Sequence, residues 1–255
     1  MTGDMLDQFE RFVRRRAAHG NPSPHTIRSY RAQARMWIVW CDEQGVDART
    51  ASEEDVISYR SALVEAYAPA TMALKLQVVR TLYEALGRDP NPAASVQAPS
   101  DPTPPQEAIQ YLTVREARQV LDAVNAVDDP VRRARDRAIV RVLLALGIRA
   151  QELRQLRVDD LSLERQRLVI QAGKGGKRRT LYLTDDLRQI LVEWLAVRPD
   201  DGDRLFVGLT GRGALSPSGL RKIVNRYLAL AGVKSKGQAC HIFRHTALTL
   251  AVAGG

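Results

Sequence analysis

The stretch "PNPAASVQAPSDPTPP", residues 90–105, holds half of the chain's 12 prolines. Proline lacks a backbone donor and disfavours helix in the residue before it, so the stretch reads as an extended linker. That reading divides the 255 residues into a helical domain over 1–89, a proline-rich linker over 90–106 and a second domain over 107–255. Charge divides at the same place. Residues 1–105 carry 12 Lys/Arg against 13 Asp/Glu, whereas residues 106–255 carry 26 against 16. The net charge of +9 therefore belongs to the second part, an asymmetry that a phosphate-binding face produces and solubility alone does not require.

On the N-terminal side of the prolines the pattern predicts four helices. Leu6, Phe9, Phe12 and Val13 share one face of a helix over 3–18. After "NPSP", a second carries Ile27, Tyr30, Ala34, Trp37, Ile38 and Cys41 inward. Ser52 with Asp55 spells a capping box for a third, and a fourth runs from Ala70 to Leu86, with Gly87 as its stop. Arg28, Arg31 and Arg35 form a stripe opposite the apolar face of the second helix. The stripe reads either as a solvated face or as a row of phosphate contacts.

On the other side, helices alternate with one hairpin. Thr113 with Glu116 caps a helix through Ala126, and Asp129-Pro130 opens another through Leu146. "LVIQAGKGGKRRTLYL", residues 168–183, is two β-rich runs around a glycine turn. Thr184, Asp185 and Asp186 begin a helix ending near Pro199, Ser216-Pro217 begins one ending near Gly232, and a last helix starts near Ile242. The fold class is mainly α with a small β-hairpin or sheet.

Several chemistries are excluded. No apolar run approaches the roughly 18 residues that span a bilayer, and the N-terminus lacks an apolar signal core, so the reading is a cytoplasmic protein without membrane contact. Cys41 and Cys240 have no partners at metal-ligand spacing and read as two buried free thiols. There is no H-E-x-x-H pair, no G-x-S-x-G elbow and no Walker pattern, so no metal and no cofactor is expected.

Three short motifs remain. "ALGIRAQEL" places Arg149 two residues after Gly147, in a joint between apolar helices, where a half-buried guanidinium needs an anion. That anion is either Glu152, in a structural ion pair, or a bound ligand. "GKGGKRR" presents Lys174, Lys177 and Arg178 from a hairpin turn, which is either a solvated basic tip or a phosphate contact. "HIFRH" sets His241 and Arg244 one helical turn apart; His245, beside Arg244, is expected to face elsewhere.

Taken in order, these motifs resemble the tyrosine recombinases, or phage integrase family, of Xer-like type. An arginine in G-L-R-x-x-E-L, a hairpin lysine in G-K-G and an H-x-x-R-H box follow one another there. "SPHTIRSYRAQARMWIVW" and "NPAASVQAP" are similar to that family's helical core-binding domain and its exit. The resemblance covers roughly residues 5–255 and implies a four-helix SAM-like core-binding domain followed by an α+β catalytic domain. It implies that Arg149 and Arg244 grip a scissile phosphate, that Lys174 is the general acid and that His241 assists at the phosphate. Lys177, Arg178 and the stripe Arg28, Arg31 and Arg35 become DNA contacts. Double-stranded DNA is then the partner, in a bacterial, nucleoid-associated setting, with self-association into tetramers on DNA.

One departure stands out. In the family a nucleophilic tyrosine follows the H-x-x-R box, whereas all seven tyrosines here precede His241. Tyr182, on the hairpin, is expected to belong to the packed sheet. The catalytic domain is therefore expected to be incomplete at its C-terminus, and the 255 residues to bind DNA without cleaving it. The alternative is a natively truncated, non-catalytic DNA-binding protein that modulates a full-length recombinase.

Overall fold

The structure, a computed structural model, describes residues 2–16, 22–100, 109–171, 178–199, 202–209, 213–235 and 239–253. The chain forms two compact units, Met1–Pro104 and Pro105–Gly255.

The first unit holds α1 (Thr2–Arg16), α2 (Pro24–Glu43), α3 (Glu53–Val64) and α4 (Pro69–Ala85). Local chemistry sets the helix starts. Ser23 accepts the Thr26 N–H ahead of Pro24, and Ser52 and Asp55 form the reciprocal capping box read from the sequence. The apolar faces of the four helices close over Trp37, Tyr59, Tyr83, Phe9 and Met72. The buried hydroxyl of Tyr83 is satisfied twice: it accepts from Trp37 Nε1 at 3.2 Å and donates to the Ala48 carbonyl at 3.0 Å.

Part of the proline-rich stretch packs on the first unit. Ala93 and Val96 are buried in this unit's core. Asn91 Nδ2 donates to the Arg80 carbonyl at 2.9 Å, and Arg80 donates to the carbonyls of Ala93 and Val96 at 3.2 Å each. The segment after residue 89 is thus folded onto the helices through residue 96, held by apolar residues set between the prolines.

The second unit contains α5 (Val114–Asn125), α6 (Pro130–Leu146), the short α7 (Ala150–Gln155), β1 (Leu161–Ser162), β2 (Arg167–Ile170), β3 (Arg179–Tyr182), α8 (Asp185–Val197), α9 (Pro217–Leu230) and α10 (Ala239–Ala253). Helix α6 is central. It buries Ala138, Ile139, Val140, Val142 and Leu143 and packs against α5, α8 and α10. The strands form an antiparallel sheet in the order β1-β2-β3, with Val169 opposite Thr180 and Ile170 opposite Arg179. The hairpin is as read; β1 adds a two-residue third strand.

Two expectations change here. Tyr182 lies in β3 but is 77% exposed, because it shares the outward parity of Thr180. Cys41 is buried and free as expected, whereas Cys240 is only half-buried.

A buried polar cluster ties α6 to α9. Arg135 Nε and Nη2 reach Asp136 Oδ1 at 2.8 and 2.7 Å, and the Tyr227 hydroxyl donates to Asp136 Oδ2 at 2.6 Å. At the end of the unit, Thr246 Oγ1 accepts the Leu112 N–H at 2.8 Å and donates to the Ile242 carbonyl at 2.7 Å.

Candidate active site

Arg149 is placed by how α6 ends. Gly147 takes the left-handed conformation, with φ at 54°, and turns the chain so that Arg149 becomes the residue before α7. Glu152, one turn into α7, reaches back. Its Oε2 accepts the Arg149 N–H at 2.8 Å and its Oε1 accepts from Arg149 Nη1 at 3.0 Å. The ion pair expected from the spacing is therefore present. Arg149 itself remains 41% exposed, so its outer donors face solvent while Glu152 is buried.

A second arginine shares the carboxylate. Arg179, the first residue of β3, donates from Nη1 and Nη2 to the two Glu152 oxygens at 3.0 and 2.7 Å. Burial pushes the Glu152 carboxyl up, but the hydrogen bonds from Arg179 and Arg149 overcome it and hold the group at about 2. Spacing gave no hint of Arg179. It lies 27 residues after Glu152, inside a basic run that reads as solvated.

Arg244 and His241 arrive on α10. Arg244 Nη1 donates to the Gly147 carbonyl, which fastens α10 to the turn carrying Arg149. Its electrostatic neighbours are Arg149, Glu152 and Arg179. His241 is held below the usual imidazole value, chiefly by burial and then by the charges of His245, Arg244 and Arg149. Burial and the neighbouring cations thus favour its uncharged form. His245 corrects the expectation that it faces elsewhere: its ring stands 6.2 Å from that of His241, one helical turn on.

Arg149, Arg244 and His241 are thus brought to one place from elements about ninety residues apart, with Arg179 added. Lys174 and Lys177 lie outside the described residues, and Arg178 is exposed just before β3. In the first unit, Arg28 and Arg35 are exposed, whereas Arg31 is paired with Asp7 at 2.8 Å and Glu10 at 3.0 Å. Among the described residues, no group of three or more His, Cys, Asp or Glu is arranged to hold a metal ion, and no helix is long and apolar enough to cross a membrane.

Chemically, the cluster offers the guanidiniums of Arg149 and Arg244, an imidazole whose uncharged form is favoured, and a carboxylate already satisfied by hydrogen bonds from Arg149 and Arg179. Such a set suits an oxyanion whose charge grows during reaction.

Comparison with known proteins shows the family to which the chain belongs. Residues 110–254 match the model of the Phage integrase family, and residues 6–89 match the Phage integrase, N-terminal SAM-like domain. The chain is 33% identical to "Tyrosine recombinase XerC" of Mycobacterium sp. (strain KMS), an alignment covering 98% of this chain and 86% of that protein. It is 30% identical to "Tyrosine recombinase XerC" of Pseudomonas fluorescens (strain Pf0-1), over 95% of this chain and 81% of that one. The fold is similar to that of XerH site-specific recombinase bound to difH substrate, with a TM-score of 0.75 at 19% identity, covering 99% of this chain and 86% of that chain. It is also similar to lambda integrase in a tetramer bound to a Holliday junction, with a TM-score of 0.72 at 15% identity, covering 98% of this chain and 70% of that one. With family models spanning both units and relatives at this identity, the chain belongs to the phage integrase family, the tyrosine recombinases.

Proposed function

We propose that this chain binds double-stranded DNA and that Arg149, Arg244 and His241 address one phosphodiester of it in site-specific recombination. The observation that supports this most is the convergence of those three side chains beside a buried, fully occupied Glu152. In this reading a tyrosine hydroxyl gives up its proton to solvent as its oxygen attacks the phosphorus, and the P–O5′ bond breaks. The ammonium of Lys174 gives its proton to the departing 5′-oxygen. Charge gathering on the nonbridging oxygens is met by the two guanidiniums, which do here what a metal ion does elsewhere. The 3′-phosphotyrosyl bond retains the energy needed to rejoin a second strand, so no cofactor takes part. The assignment of Lys174 rests on its place in G-K-G.

No tyrosine follows His241 in the 255 residues. These residues alone are therefore expected to bind DNA without forming the covalent link. The helical unit, with Arg28 and Arg35, and the basic second unit, with Lys177 and Arg178, supply the backbone contacts. Copies of the chain are expected to associate on DNA in the cytoplasm.

The test is a titration of labelled duplex at several salt concentrations, followed by a nicked duplex resolved on a denaturing gel. Affinity should fall with a log–log slope of about −0.9 per phosphate neutralised, and no protein–DNA band should survive denaturation. A flat salt response would overturn DNA binding. A surviving covalent band would overturn the silent-nucleophile reading.

A further inference from the structure

Arg179 has no part in the reaction just described, yet it holds the buried Glu152 carboxylate more fully than Arg149 does. Both of its terminal nitrogens meet Glu152, at 3.0 and 2.7 Å, whereas Arg149 brings one side-chain nitrogen, at 3.0 Å, and its backbone N–H, at 2.8 Å. The Glu152 side chain is 3% exposed, against 34% for Arg179 and 41% for Arg149. The carboxylate therefore sits inside, with the two guanidiniums reaching outward from it.

The arrangement has an electrostatic consequence. A lone buried carboxylate next to a phosphate site repels the ligand and competes for the same fork of donors. A guanidinium has five N–H donors in fixed directions, and each one turned toward Glu152 is lost to a phosphate. With Arg179 in place, Glu152 is neutralised from the β3 side and needs only one edge of Arg149. Arg179 is also the residue at which β3 begins, so the same contact pins that strand to the Arg149 turn.

We infer that Arg179 is a positioning residue for the phosphate site: it neutralises Glu152 so that the outer donors of Arg149 stay free for the phosphodiester. The inference rests on Arg149 being a phosphate ligand. Arg179 itself acts through Glu152 and does not touch the reacting atoms.

The experiment titrates inorganic phosphate into the 255-residue chain and follows the arginine Nε–H signals and the His241 ring signals by NMR. Removing the charge in R179M is expected to weaken phosphate binding about tenfold, the scale of one charge-assisted hydrogen bond. R179K, which keeps a point charge but loses the fork, should lose less. The decisive readout is coupling. E152Q should raise phosphate affinity about tenfold more on the R179M background than on the unsubstituted chain, which a merely structural arginine would not produce. Thermal unfolding of each variant accompanies the titration. Should R179M not fold, the same coupling is read between R179Q and E152Q, since glutamine removes the charge while keeping a polar side chain at the strand start. Equal phosphate affinity in R179M and the unsubstituted chain, or an equal E152Q effect on both backgrounds, overturns the inference. Undiminished phosphate binding in R149A overturns instead the reading beneath it, so the two failures are told apart.

Discussion

Arg244 donates to the carbonyl of Gly147, and the helix that carries Arg244 passes so close to Gly147 that a Cβ there would stand 3.1 Å from the Ala247 Cβ. One residue without a side chain thus fixes both the approach of α10 and the turn that aims Arg149.

Gly147→Ala is therefore expected to destabilise the second unit on two grounds. The left-handed backbone at φ 54° costs a non-glycine residue about 1 kcal/mol, and the contact with Ala247 adds to it. Thermal unfolding should show a lowered midpoint, and adding Ala247→Gly should recover the contact part but not the backbone part. Full recovery would place the whole effect in the contact.

Glu152 makes stability depend on acid. Its carboxyl lies at about 2 against an ordinary 4.5, so its contribution is fully present above pH 4.5 and is lost as pH falls from 4.5 toward 2. The shift corresponds to about 3 kcal/mol. Urea unfolding measured from pH 6 down to pH 2.5 should decline more steeply for the unsubstituted chain than for E152Q. E152Q should itself be less stable at neutral pH by about 3–5 kcal/mol, because two arginines lose their shared counter-charge. Parallel pH profiles would contradict the assignment.

The Arg135–Asp136–Tyr227 cluster separates two kinds of loss. Tyr227→Phe removes one donor but leaves Asp136 paired with Arg135, which should cost about 1–3 kcal/mol. Asp136→Ala strands a buried guanidinium and should cost about 3–5 kcal/mol. Denaturant unfolding of both variants checks the order; equal losses would mean that the tyrosine hydroxyl carries the cluster.

Lys75 is buried, and among the described residues no carboxylate forms an ion pair with it. Its ammonium donates to Gln33 Oε1 at 2.8 Å and to Met36 Sδ at 3.3 Å, and lies 4.2 Å from the Tyr67 ring centre. Burial lowers its proton affinity, so the unfolded chain binds that proton more readily than the folded one. Lys75→Met should leave stability unchanged or raise it by about 1 kcal/mol at neutral pH. The gain should shrink as pH rises through the lowered value of the folded state and vanish above 10.5, where the amine is neutral in both states. A loss above about 2 kcal/mol would show that the ammonium's contacts outweigh its desolvation.

Much of the fold could be read because its signals are local. Ser52 with Asp55, Thr113 with Glu116, Asp129 before Pro130, and Ser216 before Pro217 each cap a helix through atoms a few residues apart. Arg149 and Glu152 belong to the same class, three residues apart. What escaped depends on distance or on small offsets. Arg179 meets Glu152 only because the sheet folds back on α7. His245 was misplaced because α10 begins at Ala239; a start near Ile242 leaves His241 outside the helix and hides their i, i+4 relation. Six prolines in sixteen residues concealed Ala93 and Val96, which anchor that stretch to the helices. Strand β1, at two residues, is too short to have a period.

The hydrogen bond from the Leu112 N–H to Thr246 Oγ1 joins residues 134 positions apart. A ribosome emits the first of them long before the second, at about 5–20 residues per second. The helical unit, whose buried core ends at Val96, is free to fold while translation continues. The second unit must wait, its opening segment unclasped, until the helix bearing Thr246, Arg244 and His241 has left the exit tunnel. Arg149 can therefore meet Arg244 and His241 only after about ninety further residues have been made, whereas its contact with Glu152 is available almost at once.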